Sequence, residues 1–249
     1  MFGIESPTFD VFVFALFTAV ATGLGAIPFL FFRNVTKEWL GIGNAIAAGL
    51  MLTASFGLIF EGNAYSEART LIGGALGVVF IFLSRKFLEN RNHLEIGDLE
   101  GASALKALLF VAIMTVHSFA EGIGVGVAFG EGEQFGLVIS LAIAVHNIPE
   151  GLAVGLVLIP KGMKVWKVIL LAIVTSLPQP LMAVPAFWFV ETFRPILPIG
   201  LGFAAGAMVW VVFSELVPES LQETTPRKAA VAATVSVLLM AAFQTLIGQ

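Results

Sequence analysis

Two matched His/Glu pairs are the residues of this sequence best suited to do chemistry. One stretch reads V-H-S-F-A-E-G and a later one reads V-H-N-I-P-E-G. Aligning the two stretches places His117 and Glu121 in register with His146 and Glu150, at an offset of 29 residues. Both stretches therefore carry the same pattern, H-x-x-x-E-G, inside otherwise apolar sequence.

A histidine and a glutamate four residues apart lie about 40° apart around a helix, so each pair faces one direction. Imidazole and carboxylate together suit Zn²⁺, Fe²⁺, Mn²⁺ and similar ions. Ser118 and Asn147 each follow a histidine and offer further oxygen ligands. The pattern predicts a metal site between two helices, and we take two ions that share Glu121 and Glu150 as the working hypothesis.

The elements that must position these pairs are membrane spans. Of the 249 residues, 58% are hydrophobic and 12% are charged, whereas soluble domains carry about 25% charged residues. The apolar residues fall in runs of about 20 or more, the length that crosses a bilayer as a helix. We predict eight spans at 9–32, 39–61, 69–88, 104–130, 135–159, 165–190, 195–217 and 228–247.

These spans predict an all-α integral membrane protein with one transmembrane domain over 1–249. Helix is favoured because a spanning segment must satisfy its own backbone hydrogen bonds, and the alternating strands of a barrel are not seen. The first span lacks the basic flank of a signal peptide, so we expect it to be retained. The absence of cysteine excludes disulfides and thiolate ligands, and no basic patch suggests a nucleic-acid partner.

The distribution of basic residues predicts the orientation. Counting loops on alternate sides puts all of the 13 Lys and Arg residues on one side except Arg69 and Arg194. Cytoplasmic loops carry the excess of Lys and Arg, so both termini are expected outside. The longest joint, Glu89–Ser103, is expected to be a cytoplasmic loop, and its His93 to be an ordinary solvated residue. The lack of a targeting segment favours a bacterial cytoplasmic membrane, although a trimmed organellar protein would look the same.

Further polar residues lie inside or at the ends of other spans. Gln179 stands between Pro178 and Pro180 in span six, where a broken helix could line a site or simply bend. Met51 in span two is a soft ligand or an ordinary core residue. Three carboxylates near span ends could line a pathway or simply be hydrated; they are Glu61, Glu215 and Glu219.

Three other classes of protein compete with a metal carrier. A purely structural polar network would not explain two matched pairs in consecutive spans. An intramembrane metal-dependent hydrolase needs a metal-bound water and a general base, and H-E-x-x-H is absent. A proton-coupled carrier of an organic solute could use the same residues as a proton relay. No P-loop is present, so ATP is not expected to drive the process within this chain.

The segments H-S-F-A-E-G and H-N-I-P-E-G resemble the paired signatures of helices four and five in the ZIP (Zrt/Irt-like) metal-ion transporters, close to their prokaryotic GufA-like branch. The resemblance implies a homodimeric secondary transporter, not an enzyme, that moves Zn²⁺ toward the cytoplasm, with Fe²⁺, Mn²⁺ and Cd²⁺ as further candidates. It implies no resident cofactor. The expected metal ligands are His117, Ser118, Glu121, His146, Asn147, Glu150, Gln179 and Met51.

One position departs from the pattern that the resemblance implies. Gln179 matches a helix-six position that is often Glu in the family. The amide removes a negative charge from the second site, which weakens the case for a second ion.

Overall fold

The computed structural model describes residues 6–31, 36–89, 102–159 and 162–247, and these ranges are almost entirely helical, without a strand. The helices are α1 (Pro7–Gly25), α2 (Lys37–Glu89), α3 (Ala102–Glu131), α4 (Glu133–Leu158), α5 (Val165–Ser176), α6 (Pro178–Thr192), α7 (Leu197–Val211), α8 (Val217–Glu223) and α9 (Pro226–Ile247). The predicted cytoplasmic loop Glu89–Ser103, with His93, lies largely outside the described residues.

Six helical segments among the described residues are long and apolar enough to cross a membrane. They are Pro7–Leu30, Lys37–Phe87, Glu133–Gly155, Val165–Thr192, Arg194–Glu223 and Pro226–Leu246. The second segment falls within α2, which consists of two helices joined at a kink at Ser66; its 53 residues have a summed helical length of about 80 Å at 1.5 Å per residue. That length is more than twice the hydrocarbon core of a bilayer, which is roughly 30 Å thick.

The joint within α2 is much shorter than the sequence suggested. We predicted a polar connection over Gly62–Ala68, but helix continues on both sides of one extended residue, Ser66 (φ −168°, ψ 107°). The Thr70 hydroxyl donates to the Ser66 carbonyl at 3.0 Å, which satisfies a carbonyl at the kink. Gly62 has no side chain, and its position next to Thr70 allows the two helical halves to approach closely there.

Proline breaks the sixth predicted span into α5 and α6. Pro178 is the first residue of α6, and it has no N–H to donate to the carbonyl of Val174. The amide of Leu177 donates to that carbonyl instead, at 3.2 Å, which tightens the last turn of α5. The break lies directly before Gln179 and aims the first turn of α6 at the helices that carry the His/Glu pairs.

A second proline reshapes the seventh predicted span. Pro218 is the second residue of the short helix α8 and cannot donate to the carbonyl of Ser214. The five residues before α8, Val212–Leu216, form a π-helical turn, the wider geometry that accommodates a lost helical hydrogen bond. The span therefore continues to Glu223 and does not end at 217.

Helices α2 and α7 pack backbone against backbone at glycine. A Cβ added to Gly77 would lie 2.9 Å from the amide nitrogen of Ala207 and closer still to the carbonyl oxygen of Phe203. Small residues permit this approach in membranes, where dispersion and close packing hold helices together. A Cβ on Gly74, three residues earlier on the same helix, would meet only the carbonyl oxygen of Gly202 at 3.7 Å.

This difference gives a matched pair of substitutions. Gly77→Ala is expected to lower the melting temperature of the purified protein, because α7 must move away from α2. Gly74→Ala is expected to leave it unchanged or raise it slightly, because alanine favours helix over glycine by about 1 kcal/mol. Thermal unfolding followed by intrinsic fluorescence in detergent measures both. Equal melting temperatures for the two variants would contradict the packing described above.

Candidate metal centre

The His/Glu pairs of α3 and α4 face each other and pair across the two helices. His117 Nε2 of α3 lies 3.0 Å from Glu150 Oε1 of α4, and His146 Nε2 of α4 lies 2.6 Å from Glu121 Oε1 of α3. Glu121 Oε1 also lies 3.3 Å from His117 Nε2 within α3. Glu121 is thus the central carboxylate, since one of its oxygens contacts both imidazoles.

The cluster is removed from solvent and rich in acceptors. His117, Glu121 and His146 are fully buried, and Glu150 is 2% exposed. Ligand atoms of His117, Glu121 and Glu150 lie within 4.8 Å of one another, and His146 joins them through Glu121. Two carboxylates in so dry a place need positive charge. A divalent cation ligated by imidazole and carboxylate supplies that charge.

Two buried atoms without a hydrogen-bond partner in the described part of the centre also favour a bound cation. Glu150 Oε2 and Asn147 Oδ1 are buried acceptors without a hydrogen-bond donor there. Buried polar atoms normally have a partner, and an acceptor oxygen is also the atom type with which carboxylates and amides bind cations. These two oxygens are therefore available to an ion.

Gln179 reaches the centre from the break between α5 and α6. Its Nε2 lies 2.5 Å from Glu121 Oε2, and its Oε1 accepts from Asn147 Nδ2 at 3.3 Å. Thr18 of α1 also contacts Gln179, since its hydroxyl lies 2.6 Å from the same Oε1. Our sequence reading missed Thr18, because a single threonine in an apolar span is common and carries no pattern.

Two other predicted ligands have a weaker structural connection to the centre. Ser118 is buried beside His117 on α3. Met51 is fully buried in α2 as a member of the apolar core that also includes Ala47 and Ala54. A ligand role for either residue stays a prediction.

The two carboxylates predicted near the end of span seven, Glu215 and Glu219, both interact with α2. Glu215, in the π turn, lies 3.6 Å from Arg85 Nη1, an ion pair too long for a hydrogen bond. Glu219 accepts a 3.1 Å hydrogen bond from Asn44 Nδ2. Both side chains contact residues of α2, so they form a partly buried acidic row beside that helix.

Glu61, five residues before the kink of α2 at Ser66, lines a cavity of about 540 Å³. The cavity lies where α3 ends and α4 begins, and Glu131 and Glu133 also contribute to its wall. Gln244 of α9 closes one side. Three carboxylates thus line this cavity, which lies where α3 meets α4.

The arrangement defines a class of protein. Helices with membrane-spanning length and apolarity enclose a buried imidazole–carboxylate cluster, with carboxylates toward both ends of the bundle. This is the architecture of a membrane carrier of metal ions. The sequence profile of a family described as ZIP zinc transporter matches residues 89–247, and the chain belongs to that family. It is therefore a divalent-metal transporter and not an enzyme, and the hydrolase alternative is not favoured.

Individual relatives agree with this assignment. The chain is 48% identical over 239 residues to a putative zinc transporter of Arabidopsis thaliana. The aligned region makes up 95% of this chain but only 38% of the Arabidopsis protein. It is 30% identical to the zinc transporter GufA of Myxococcus xanthus, over 87% of this chain and 91% of GufA. It is 33% identical to the zinc transporter ZIPB of Bordetella bronchiseptica, over 92% of this chain and 78% of ZIPB.

Proposed function

We propose that this protein carries Zn²⁺ toward the cytoplasm through the centre formed by His117, Glu121, His146 and Glu150. The observation that carries the proposal is the pairing across α3 and α4, in which each histidine contacts the carboxylate of the other helix. A cation bound there would join the two helices through ligands from both. Fe²⁺, Mn²⁺ and Cd²⁺ share the preference for these ligand types to different degrees and are secondary candidates.

We infer eight spans in total. The long helix α2 supplies two of them, divided at Ser66, and α3 supplies another with its 30 residues. The asymmetry of Lys and Arg favours both termini on the outside, in a bacterial cytoplasmic membrane. A homodimer is part of the proposal by resemblance to the family alone.

The proposed path of the ion follows the carboxylates. The ion enters from the cavity at Glu61 and Glu131, exchanges water for ligands at Glu121, and leaves past Glu215 and Glu219 beside α2. Each of these positions carries negative charge, which lowers the free-energy cost of moving a cation through a medium of low dielectric constant. The ligands must be deprotonated to bind metal.

We further propose that transport moves one group of helices against another. The site body consists of α1, α3, α4, α5 and α6, and the frame body consists of α2, α7, α8 and α9. Within the site body, glycines meet backbone: a Cβ on Gly122 would lie 2.5 Å from the carbonyl oxygen of Gln179, and one on Gly25 would lie 2.5 Å from the amide nitrogen of Leu152. Such contacts leave little room for relative motion.

Glycines also meet backbone within the frame body. Gly77 of α2 lies directly against the backbone of α7, and Gly206 of α7 lies directly against the backbone of α2. Glycines between the two bodies instead face side chains. A Cβ on Gly43 would lie 3.2 Å from Leu152 Cδ2, and one on Gly124 would lie 3.0 Å from Ala204 Cβ. Side chains that slide past each other cost less than backbones that must separate, so the boundary between the bodies is the natural place for motion.

Reconstitution into proteoliposomes tests the proposed function. Zn²⁺, Mn²⁺ and Fe²⁺ are offered separately on one side, and the ion that accumulates inside is measured over time. Wild-type protein is expected to take up Zn²⁺, and His146→Ala is expected to lose most of that uptake because Glu121 loses an imidazole partner. Uptake in the His146→Ala variant equal to wild type, at equal protein incorporation, would remove His146 from the site.

A further inference from the structure

A buried hydrogen-bond relay joins α1 to the central carboxylate through two amide side chains. Asn147 Nδ2 lies 2.9 Å from the backbone carbonyl oxygen of Thr18 and 3.3 Å from Gln179 Oε1. Gln179 Nε2 lies 2.5 Å from Glu121 Oε2. Asn147, Gln179 and Glu121 are all fully buried, so solvent does not compete for these contacts.

The Thr18 carbonyl determines which end of each amide faces which neighbour. A backbone carbonyl can only accept a hydrogen bond, so Asn147 must turn its NH₂ group toward it. The same NH₂ group faces Gln179, which must accept the hydrogen bond with its carbonyl oxygen. The NH₂ group of Gln179 then has to face Glu121. The reverse orientation would place the amide oxygen of Gln179 against a carboxylate oxygen.

The Thr18 hydroxyl is not needed for this polarity. It lies 2.7 Å from the carbonyl oxygen of Ala15 as well as 2.6 Å from Gln179 Oε1, and a hydroxyl has one proton for the two acceptors. Asn147 donates to Gln179 whichever acceptor the hydroxyl chooses. Asn147 is therefore a positioning residue for Gln179 through its Nδ2.

The charge of the centre agrees with the geometry. Two carboxylates, Glu121 and Glu150, balance one divalent cation. A second divalent cation among neutral amides and imidazoles would leave two positive charges uncompensated in a buried site, which is costly. The Gln179 NH₂ group bonds the oxygen of Glu121 that such a second cation would need.

We propose that the Gln179 NH₂ group, held in place by Asn147, occupies the position of a second cation, so that the centre binds one divalent ion per chain. This inference rests on the proposed function, because it treats Glu121 as a ligand. It replaces the hypothesis of two shared ions that the symmetry of the two motifs suggested. It also predicts that the number of bound ions changes when Gln179 alone is substituted.

Metal stoichiometry of the full-length protein in detergent tests the inference, with Zn²⁺ as the probe. Bound zinc is counted after equilibrium dialysis, and zinc that remains on the Glu121→Ala variant is subtracted as unrelated to the centre. Wild type is expected to bind one ion. Gln179→Glu is expected to bind two, because the new carboxylate keeps the bonds from Asn147 and turns an oxygen toward Glu121.

Asn147→Asp is the second variant, and it keeps the test decisive if Gln179→Glu does not fold. An aspartate there cannot donate and adds a negative charge, so Gln179 is expected to reverse its amide, turn its oxygen toward Glu121 and admit a second ion. Thr18→Val is the control and is expected to keep one ion. Two ions on wild type, or one ion on every folded variant of Gln179 and Asn147, would overturn the inference. If wild type binds no more zinc than the Glu121→Ala variant, the proposed function would be overturned instead.

Discussion

Replacing Glu121 by alanine is expected to reduce Zn²⁺ uptake by about two orders of magnitude or more. One oxygen of Glu121 contacts the Nε2 atoms of His117 and His146, and the other accepts from Gln179. Removing one partner from a buried charged group costs about 3–5 kcal/mol, and here three groups lose their common partner at once. The effect should exceed that of His146→Ala, because His146 contacts only one member of the cluster.

Initial uptake rates in proteoliposomes, normalised to the amount of incorporated protein, measure this effect. Glu121→Gln separates charge from shape: it keeps the size of the side chain but lacks the negative charge, so it should lose nearly as much activity as alanine. Glu67→Ala is the matched control, since Glu67 is exposed near the kink of α2 and should transport normally. A Glu121→Ala variant within threefold of wild type, with an unchanged melting temperature, would exclude Glu121 as a ligand.

The helical class and the composition of the central cluster were predictable because both depend on local sequence. Apolar runs of spanning length specify membrane helices, and a spacing of four residues puts each His/Glu pair on one helix face. Two identical patterns then predict facing pairs without any knowledge of packing. The broken helix at Gln179 was also predictable, because Pro178 and Pro180 are explicit interruptions of a helix.

The contacts that depend on packing between distant helices were not predictable. Thr18 and Gln179 are 161 residues apart, and only the fit of α1 against α4 and α6 brings them together. The predicted joint over Gly62–Ala68 contains the kink at Ser66, but its shortness was missed for a related reason. Gly62, Ser66 and neighbouring polar residues locally predict a loop, whereas only Ser66 leaves the helical conformation and Gly62 lies directly against Thr70.

The largest effect away from the metal centre is expected from locking the site body to the frame body. The chain has no cysteine, so an introduced pair forms the sole possible disulfide. A Cβ at position Gly124 of α3 would lie 3.0 Å from Ala204 Cβ of α7, about half an ångström short of the usual range of about 3.5–4.5 Å for a disulfide. The double variant Gly124→Cys/Ala204→Cys should therefore cross-link on oxidation.

Oxidised Gly124→Cys/Ala204→Cys is expected to lose nearly all Zn²⁺ uptake and to regain it on reduction with dithiothreitol, because the bond ties together helices that we propose to slide. Gly130→Cys/Val190→Cys is the matched control. A Cβ on Gly130 of α3 would lie 3.2 Å from Val190 Cβ of α6, so this disulfide has similar geometry but lies within the site body.

The control variant should cross-link equally well and continue to transport. Both disulfides include α3, both close similar distances and both sit in a cysteine-free background, so a difference in uptake isolates motion across the boundary between the two bodies. Mass spectrometry of the oxidised protein establishes how much disulfide has formed. Full uptake by the cross-linked Gly124/Ala204 pair would show that α3 and α7 do not move apart during transport, and loss of uptake in both variants would show that the site body itself must deform.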